Sequence, residues 1–188
     1  MIVYIHGFGS SGLAKKATIL KNYFGSENVF APSLSHIPKL AIDTLEQFIN
    51  IHKEQEREKI ILIGASLGGY YASYLSNKYN LKAVLINPAV KPYEALIKAV
   101  PNGINYYDNS NFDFRKEYLN ELKELIVEQP NIKKILLLLQ KGDELLDYRE
   151  ALEFFDGSTI LLEGGGSHNY SDFEAKLNLI QEFLELDL

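Results

Sequence analysis

The sequence predicts an α/β fold, a three-layer α/β/α sandwich with a mostly parallel sheet of about six strands and a short helical cap. Two observations carry this. Short apolar runs alternate with stretches of helical spacing along the chain. Most of those runs are apolar throughout, with no polar alternation, which is the pattern of strands covered on both faces. The length, 188 residues, suits a single domain over 1–188 that can bury roughly two thirds of its unfolded surface. No repeat, low-complexity tract or linker marks a boundary.

The predicted strands are Ile2 to Ile5, Val29 to Ala31, Ile60 to Ile63, Ala83 to Ile86, Ile135 to Leu139 and Thr159 to Leu162. Helical spacing covers Leu13 to Phe24, Lys39 to Arg57, Leu67 to Tyr79, Asp147 to Phe155 and Asp172 to Leu186. In the last of these, Phe173, Leu177, Ile180 and Leu184 fall on one helix face. Strands alternating with helices imply right-handed crossovers between parallel strands. One connection is longer than the others, the 43 residues from Pro88 to Pro130. It reads as a helix at Tyr93 to Val100, a turn-rich patch at Pro101 to Asn111 and a second helix near Arg115 to Glu128. Tyr106, Tyr107, Phe112, Phe114 and Tyr118 lie in and beside the patch, so this cap-like insertion at about 88–130 is expected to cover a pocket.

Composition narrows the function. Lys and Arg number 19 against 25 Asp and Glu, a formal charge of −6, which lacks the basic surplus that a nucleic-acid backbone requires. Zero cysteines remove disulfides, thiolate nucleophiles and Cys-ligated metals. No apolar run approaches the ~20 residues of a membrane span, and the apolar start Met1 to Ile5 is broken at once by His6 and Gly7. The expectation is a cytoplasmic protein acting on a small molecule, without nucleic-acid or membrane partners; its oligomeric state is not written in the sequence.

After the strand ending at Ile63 comes Gly64-Ala65-Ser66-Leu67-Gly68-Gly69, followed by helical spacing. This is G-x-S-x-G in its required setting, strand, sharp turn, helix, which exposes a serine hydroxyl in strained backbone. Serine at its ordinary pKa needs a base, and the base needs an orienting carboxylate, in the chain order Ser, Asp or Glu, His. Of the four histidines, at 6, 36, 52 and 168, only His168 lies between a late strand and the final helix, after Gly164-Gly165-Gly166-Ser167. Asp143, in a Gly-Asp turn after the fifth predicted strand, is the expected carboxylate. Asp147 is its competitor and is expected to cap the helix that follows it, and Glu144 is a lesser candidate. The expected oxyanion donors are the backbone N–H groups of Leu67 and Phe8, with His6 as a buried support for the Phe8 loop.

A rival reading lies in the same loop. Gly7-Phe8-Gly9-Ser10-Ser11-Gly12 matches the dinucleotide fingerprint G-x-G-x-x-G, but no carboxylate closes the second strand and the elbow is left unexplained. No metal-site spacing occurs, and neither cofactor nor metal is expected. Lys15, Lys16 and the charged run His52 to Lys59 read as solvated faces; contact of the two lysines with an anionic leaving group is the other reading.

Five segments of this chain resemble the small bacterial esterases of the YqiA type in the α/β-hydrolase superfamily. They are Tyr4 to Phe8 with Ser10-Ser11, Ser66 to Ala72, Leu81 to Val90, Leu139 to Glu144 with Leu146-Asp147-Tyr148, and Glu163-Gly164-Gly165 before His168. The Ile86-Asn87-Pro88-Ala89-Val90 segment and the Gly142-Asp143-Glu144 turn are more specific than the elbow itself. Ala65 departs from the family's usual serine, and the histidine loop is one residue longer. The resemblance implies a minimal α/β-hydrolase fold, a triad at Ser66, Asp143 and His168, and hydrolysis of carboxylic esters or acyl thioesters. A silent binding module on the same fold, and a C–C hydrolase or acyltransferase with the same triad, are the alternatives.

Overall fold

The structure, a computed structural model, describes residues 1–54 and 59–185. Arg57, part of the run from His52 to Lys59, and the predicted helix end at Leu186 lie outside the described residues. The strands are β1 Ile2–Ile5, β2 Val29–Phe30, β3 Ile61–Ala65, β4 Lys82–Ile86, β5 Asn102–Ile104, β6 Asn111–Asp113, β7 Ile135–Gln140 and β8 Thr159–Glu163. The helices are α1 Lys15–Phe24, α2 Pro38–Glu54, α3 Leu67–Tyr79, α4 Pro92–Ala95, α5 Lys116–Lys123, α6 Tyr148–Phe154 and α7 Leu177–Glu185.

Six strands form one sheet in the order β2-β1-β3-β4-β7-β8, with every pairing parallel. The continuous apolar runs are explained by its two faces. Side chains alternate across a strand, so Val3 and Ile5 of β1 face one core with Leu85, Leu137 and Leu139, while Ile2 and Tyr4 face the other with Ile63, Val84 and Leu138. The first face is covered by Ala41, Leu45 and Ile49 of α2 and by Ala72 and Leu75 of α3. The second is covered by Ala17 and Leu20 of α1 and by Leu177, Ile180 and Phe183 of α7. All six residues of β7 are buried, and a polar residue in its interior would strand an unpaired group between two dry layers.

The long insertion departs from its sequence reading. The first predicted helix is α4 followed by a 3₁₀ turn, Leu96–Ala99. Val100 is extended at φ −84°, ψ 133°, as a residue before proline prefers. The turn-rich patch contains a small antiparallel hairpin, β5 with β6. Its strands have three residues each and include Asn, Gly and Asp, poor strand formers, so they carried no local signal. The second helix is shorter than its spacing suggested and stops at Lys123, where the Tyr70 hydroxyl donates to the Leu122 carbonyl at 2.7 Å and satisfies one of the acceptors left at the helix end. At the C-terminus, Asp172 lies in left-handed backbone, and a 3₁₀ turn, Phe173–Lys176, leads into α7. No described helix is long and apolar enough to cross a membrane.

Candidate active site

The parallel register brings the carboxyl ends of β1, β3, β4, β7 and β8 to one edge of the sheet, where open α/β sheets place their sites. Ser66 follows β3 and occupies φ 55°, ψ −119°, a region that costs a non-glycine residue of order 1–3 kcal/mol. The turn is held from several sides. Ser66 donates its N–H to Ile86 O at 3.0 Å, and its carbonyl accepts from Gly69 N at 3.0 Å and Ala89 N at 3.1 Å. Glycine is required on both sides for two reasons: the chain folds back on itself so that a Cβ at Gly64 would overlap the Gly68 carbonyl, and the helix start passes so close to β1 that a Cβ at Gly68 would overlap the Ile5 carbonyl.

His168, in the loop after β8, places Nε2 2.9 Å from Ser66 Oγ. Its Nδ1 lies 2.8 Å from Oδ2 and 3.0 Å from Oδ1 of Asp143, in the turn after β7. An ionised carboxylate only accepts, so Nδ1 carries the proton and Nε2 is left to accept from the serine hydroxyl. The Asp143 side chain is 2% exposed. Burial opposes its charge, but hydrogen bonds from His168 and from the N–H groups of Leu146 and Leu145 outweigh burial and hold its pKa below the ordinary value. The competitor Asp147 is committed elsewhere. It caps α6 by accepting from Arg149 N at 3.0 Å and pairs with the same arginine's guanidinium.

Three residues support the histidine loop in a role that the sequence did not assign to them. Glu144 accepts the His168 N–H at 2.9 Å, and this hydrogen bond lowers the Glu144 pKa. Asn87, buried at the end of β4, donates from Nδ2 to the carbonyls of Ser167 and His168 at 3.0 and 3.1 Å, while its Oδ1 accepts from Gln140 N. Gln140, buried at the end of β7, accepts from Ser167 N and Ser171 N and donates to the Ser171 carbonyl and to Glu163. The loop presents both donors and acceptors, which a carboxamide matches and a carboxylate does not. The signal in the sequence was Asn87 inside the Ile-Asn-Pro-Ala-Val segment and Gln140 closing an otherwise apolar strand.

The loop after β1 faces Ser66 from the other side. A Cβ on Gly7 would lie 3.2 Å from Ser66 Cβ and 3.7 Å from Oγ, so the backbone passes in direct contact with the serine. Phe8 and Leu67, the two expected donors, line one cavity together with Gly7. Leu67 opens α3, where the first N–H groups of a helix have no partner within it. His6 supports this loop. Leu34 N–H donates to Nε2 at 2.9 Å, so Nδ1 carries the proton and donates to the Gly7 carbonyl at 2.8 Å; burial lowers its pKa and keeps the ring neutral. Gly12, the last glycine of the rival fingerprint, packs against the Ala31 carbonyl and donates its N–H to Ser33 Oγ, which gives that glycine a structural reason. Lys16 is not a solvated face: its ammonium donates to the Asn169 carbonyl at 2.6 Å, beside His168. Lys15 is exposed.

The aromatic residues of the insertion separate into two groups. Phe112 and Phe114 pack edge-on against Phe8 at 5.5 and 4.9 Å, and Phe114 meets Tyr118 at 5.6 Å. Tyr106 and Tyr107 are exposed, and the hairpin is tied to the first loop by Tyr106 N–H donating to Gly9 O at 2.7 Å.

Comparison with known structures identifies the fold. The chain is similar to the esterase Est1E from Butyrivibrio proteoclasticus, with a TM-score of 0.75 and 14% identity over 98% of this chain and 88% of that one. It is also similar to a monoacylglycerol lipase from Paleococcus ferrophilus, with a TM-score of 0.69 and 17% identity over 97% and 93%. The fold is therefore that of the α/β-hydrolases, as the sequence predicted. Among sequences, a UPF0227 protein of Shewanella woodyi is 26% identical over 97% of this chain and 98% of its own length. The protein YcfP of Escherichia coli, also named UPF0227, is 23% identical over 99% of both. The family described as "Uncharacterised protein family (UPF0227)" matches residues 1–185, nearly the whole chain, and the chain belongs to that family.

Proposed function

We propose that this protein is a serine esterase that hydrolyses carboxylic esters or acyl thioesters through an acyl-serine intermediate. The observation that carries the reading is the continuous relay from Asp143 to His168 to Ser66, with every link at hydrogen-bond distance. Ser66 Oγ attacks the carbonyl carbon as its proton passes to His168 Nε2, and Asp143 stabilises the imidazolium through Nδ1. The N–H groups of Phe8 and Leu67 receive the negative charge on the former carbonyl oxygen. Collapse breaks the bond to the leaving alcohol or thiol, which takes the proton from Nε2. Water then attacks the acyl-serine, giving its proton to the same nitrogen, and the carboxylic acid leaves as Ser66 is restored. The insertion at 88–130 is the cap over this site.

A small fluorophosphonate is expected to label Ser66 stoichiometrically, read by intact mass and peptide mapping. Ser66→Ala should abolish labelling and lower kcat/KM for p-nitrophenyl acetate by roughly 10³-fold or more without changing the circular dichroism spectrum. Asp143→Asn should cost a comparable factor, because the amide donor disfavours the productive tautomer. Retention of ester hydrolysis by Ser66→Ala would disprove the assignment.

A further inference from the structure

We infer that the cavity beside Phe8 and Leu67 is the acyl subsite and admits only short acyl chains, with Phe112 and His36 setting the limit. The inference rests on the esterase reading and goes beyond it by naming the substrate class.

The cavity lies beside the nucleophile, because it is lined by Gly7, whose backbone touches Ser66, and by both expected oxyanion donors. Its direction follows from proton transfer. A leaving group must face His168 Nε2 to be protonated, so it lies on the side of the His168 and Asp143 loops. None of the residues lining this cavity comes from those loops. The substituent that enters it is therefore the acyl one. The walls suit a hydrocarbon: Leu34, Tyr71 and Phe112 surround the space, and the His36 ring stacks on Phe112 at a centroid distance of 4.5 Å.

The length limit comes from volume. The cavity measures about 80 Å³. That is well below the roughly 300–1,000 Å³ of pockets that take drug-sized ligands, so it suits acyl groups of a few carbons. The closing wall is anchored. Phe112 lies flush on Gly103, where any Cβ would overlap its ring, and it packs against Phe8. The hydrogen bond from Tyr106 to Gly9 fixes the hairpin against the first loop.

The test is a series of p-nitrophenyl esters, acetate, butyrate, octanoate and dodecanoate, with the fluorophosphonate label run in parallel. Wild-type kcat/KM is expected to peak at acetate or butyrate and to fall roughly tenfold or more by octanoate. Phe112→Ala and, separately, His36→Ala should raise the octanoate-to-butyrate ratio by roughly tenfold. His36 is exposed, so its variant keeps the test available if Phe112→Ala does not fold. Equal or better hydrolysis of octanoate or dodecanoate by the wild type, with Ser66 labelled, overturns the short-chain limit and leaves the esterase reading intact. An unchanged ratio in every folded variant overturns the assignment of Phe112 and His36. A protein that neither labels nor hydrolyses any ester overturns the esterase reading and the subsite with it.

Discussion

At the scale of single residues, the site depends as much on neutral amides as on charged groups. Asn87 spends both of its amide hydrogens on consecutive carbonyls of the histidine loop, and Gln140 uses its whole carboxamide on the same loop and on Glu163. Replacing the Asn87 amide with a carboxylate turns two attractive contacts into two repulsive ones in a buried place. Asn87→Asp is therefore expected to destabilise the fold by about 1–3 kcal/mol, read by urea denaturation. It should also lower kcat by roughly 10²-fold, because a misplaced imidazole loses its alignment with Ser66. A variant that lost stability but kept full kcat would restrict Asn87 to a structural role.

At the scale of elements, two loops must approach more closely than side chains allow. The turn after β7 and the loop after β8 meet through Gly142 N–H donating to Gly165 O at 2.7 Å. A Cβ on Gly142 would lie 2.5 Å from the Gly166 carbonyl oxygen and 2.7 Å from the Gly165 carbonyl carbon, both backbone atoms that cannot rotate away. Gly164, in the same glycine run, has open space where a Cβ would be and lacks the positive φ of its two successors. Gly142→Ala is expected to cost about 1–3 kcal/mol and to displace Asp143. Gly164→Ala should stay within about 0.5 kcal/mol of wild type and retain activity. Thermal melts and ester hydrolysis on the pair check both outcomes, and they distinguish a glycine that permits packing from one that only fills a loop.

At the scale of the whole molecule, acid should weaken the fold in two stages. His6 is buried and neutral, and its folded pKa is below the ordinary 6.5, so the unfolded chain binds this proton first as pH falls. Its contribution is complete above 6.5 and is lost as pH drops from there toward the folded pKa. Asp143 has a folded pKa below 3.8, so the stability it supplies is present above that value and is lost only at lower pH, as the carboxylate takes up its proton. His6→Gln, which keeps one donor and one acceptor, is expected to flatten the dependence of unfolding free energy on pH just below 6.5 and to leave the more acidic stage in place. Urea denaturation across about pH 2–8 measures the difference between the two proteins.

The six-strand parallel sheet was legible in the sequence because a strand covered on both faces must be apolar at every position, as β7 is, and no later packing event changes that requirement. The elbow was legible because the reversal at Ser66 needs glycine at 64, where a Cβ would meet the Gly68 backbone four residues on, and glycine at 68 completes the motif although its close neighbour, the Ile5 carbonyl, lies on β1. Chain order also pointed to Asp143 and His168, which the fold brings to hydrogen-bond distance of each other and of Ser66. The hairpin β5–β6 was hidden, since Asn, Gly and Asp do not favour strands and its order comes from Phe112 packing on Phe8 and from Tyr106 bonding to Gly9. The roles of Asn87, Gln140, Glu144 and Lys16 were hidden for a related reason. A polar side chain in sequence states what it can donate or accept, but its partner lies 23 to 153 positions away and is chosen only when the sheet brings the loops together. The sequence by itself determined the sheet, the turn and the chemistry available at its edge; the tertiary structure decided which backbone groups hold the histidine and how much space is left beside the serine.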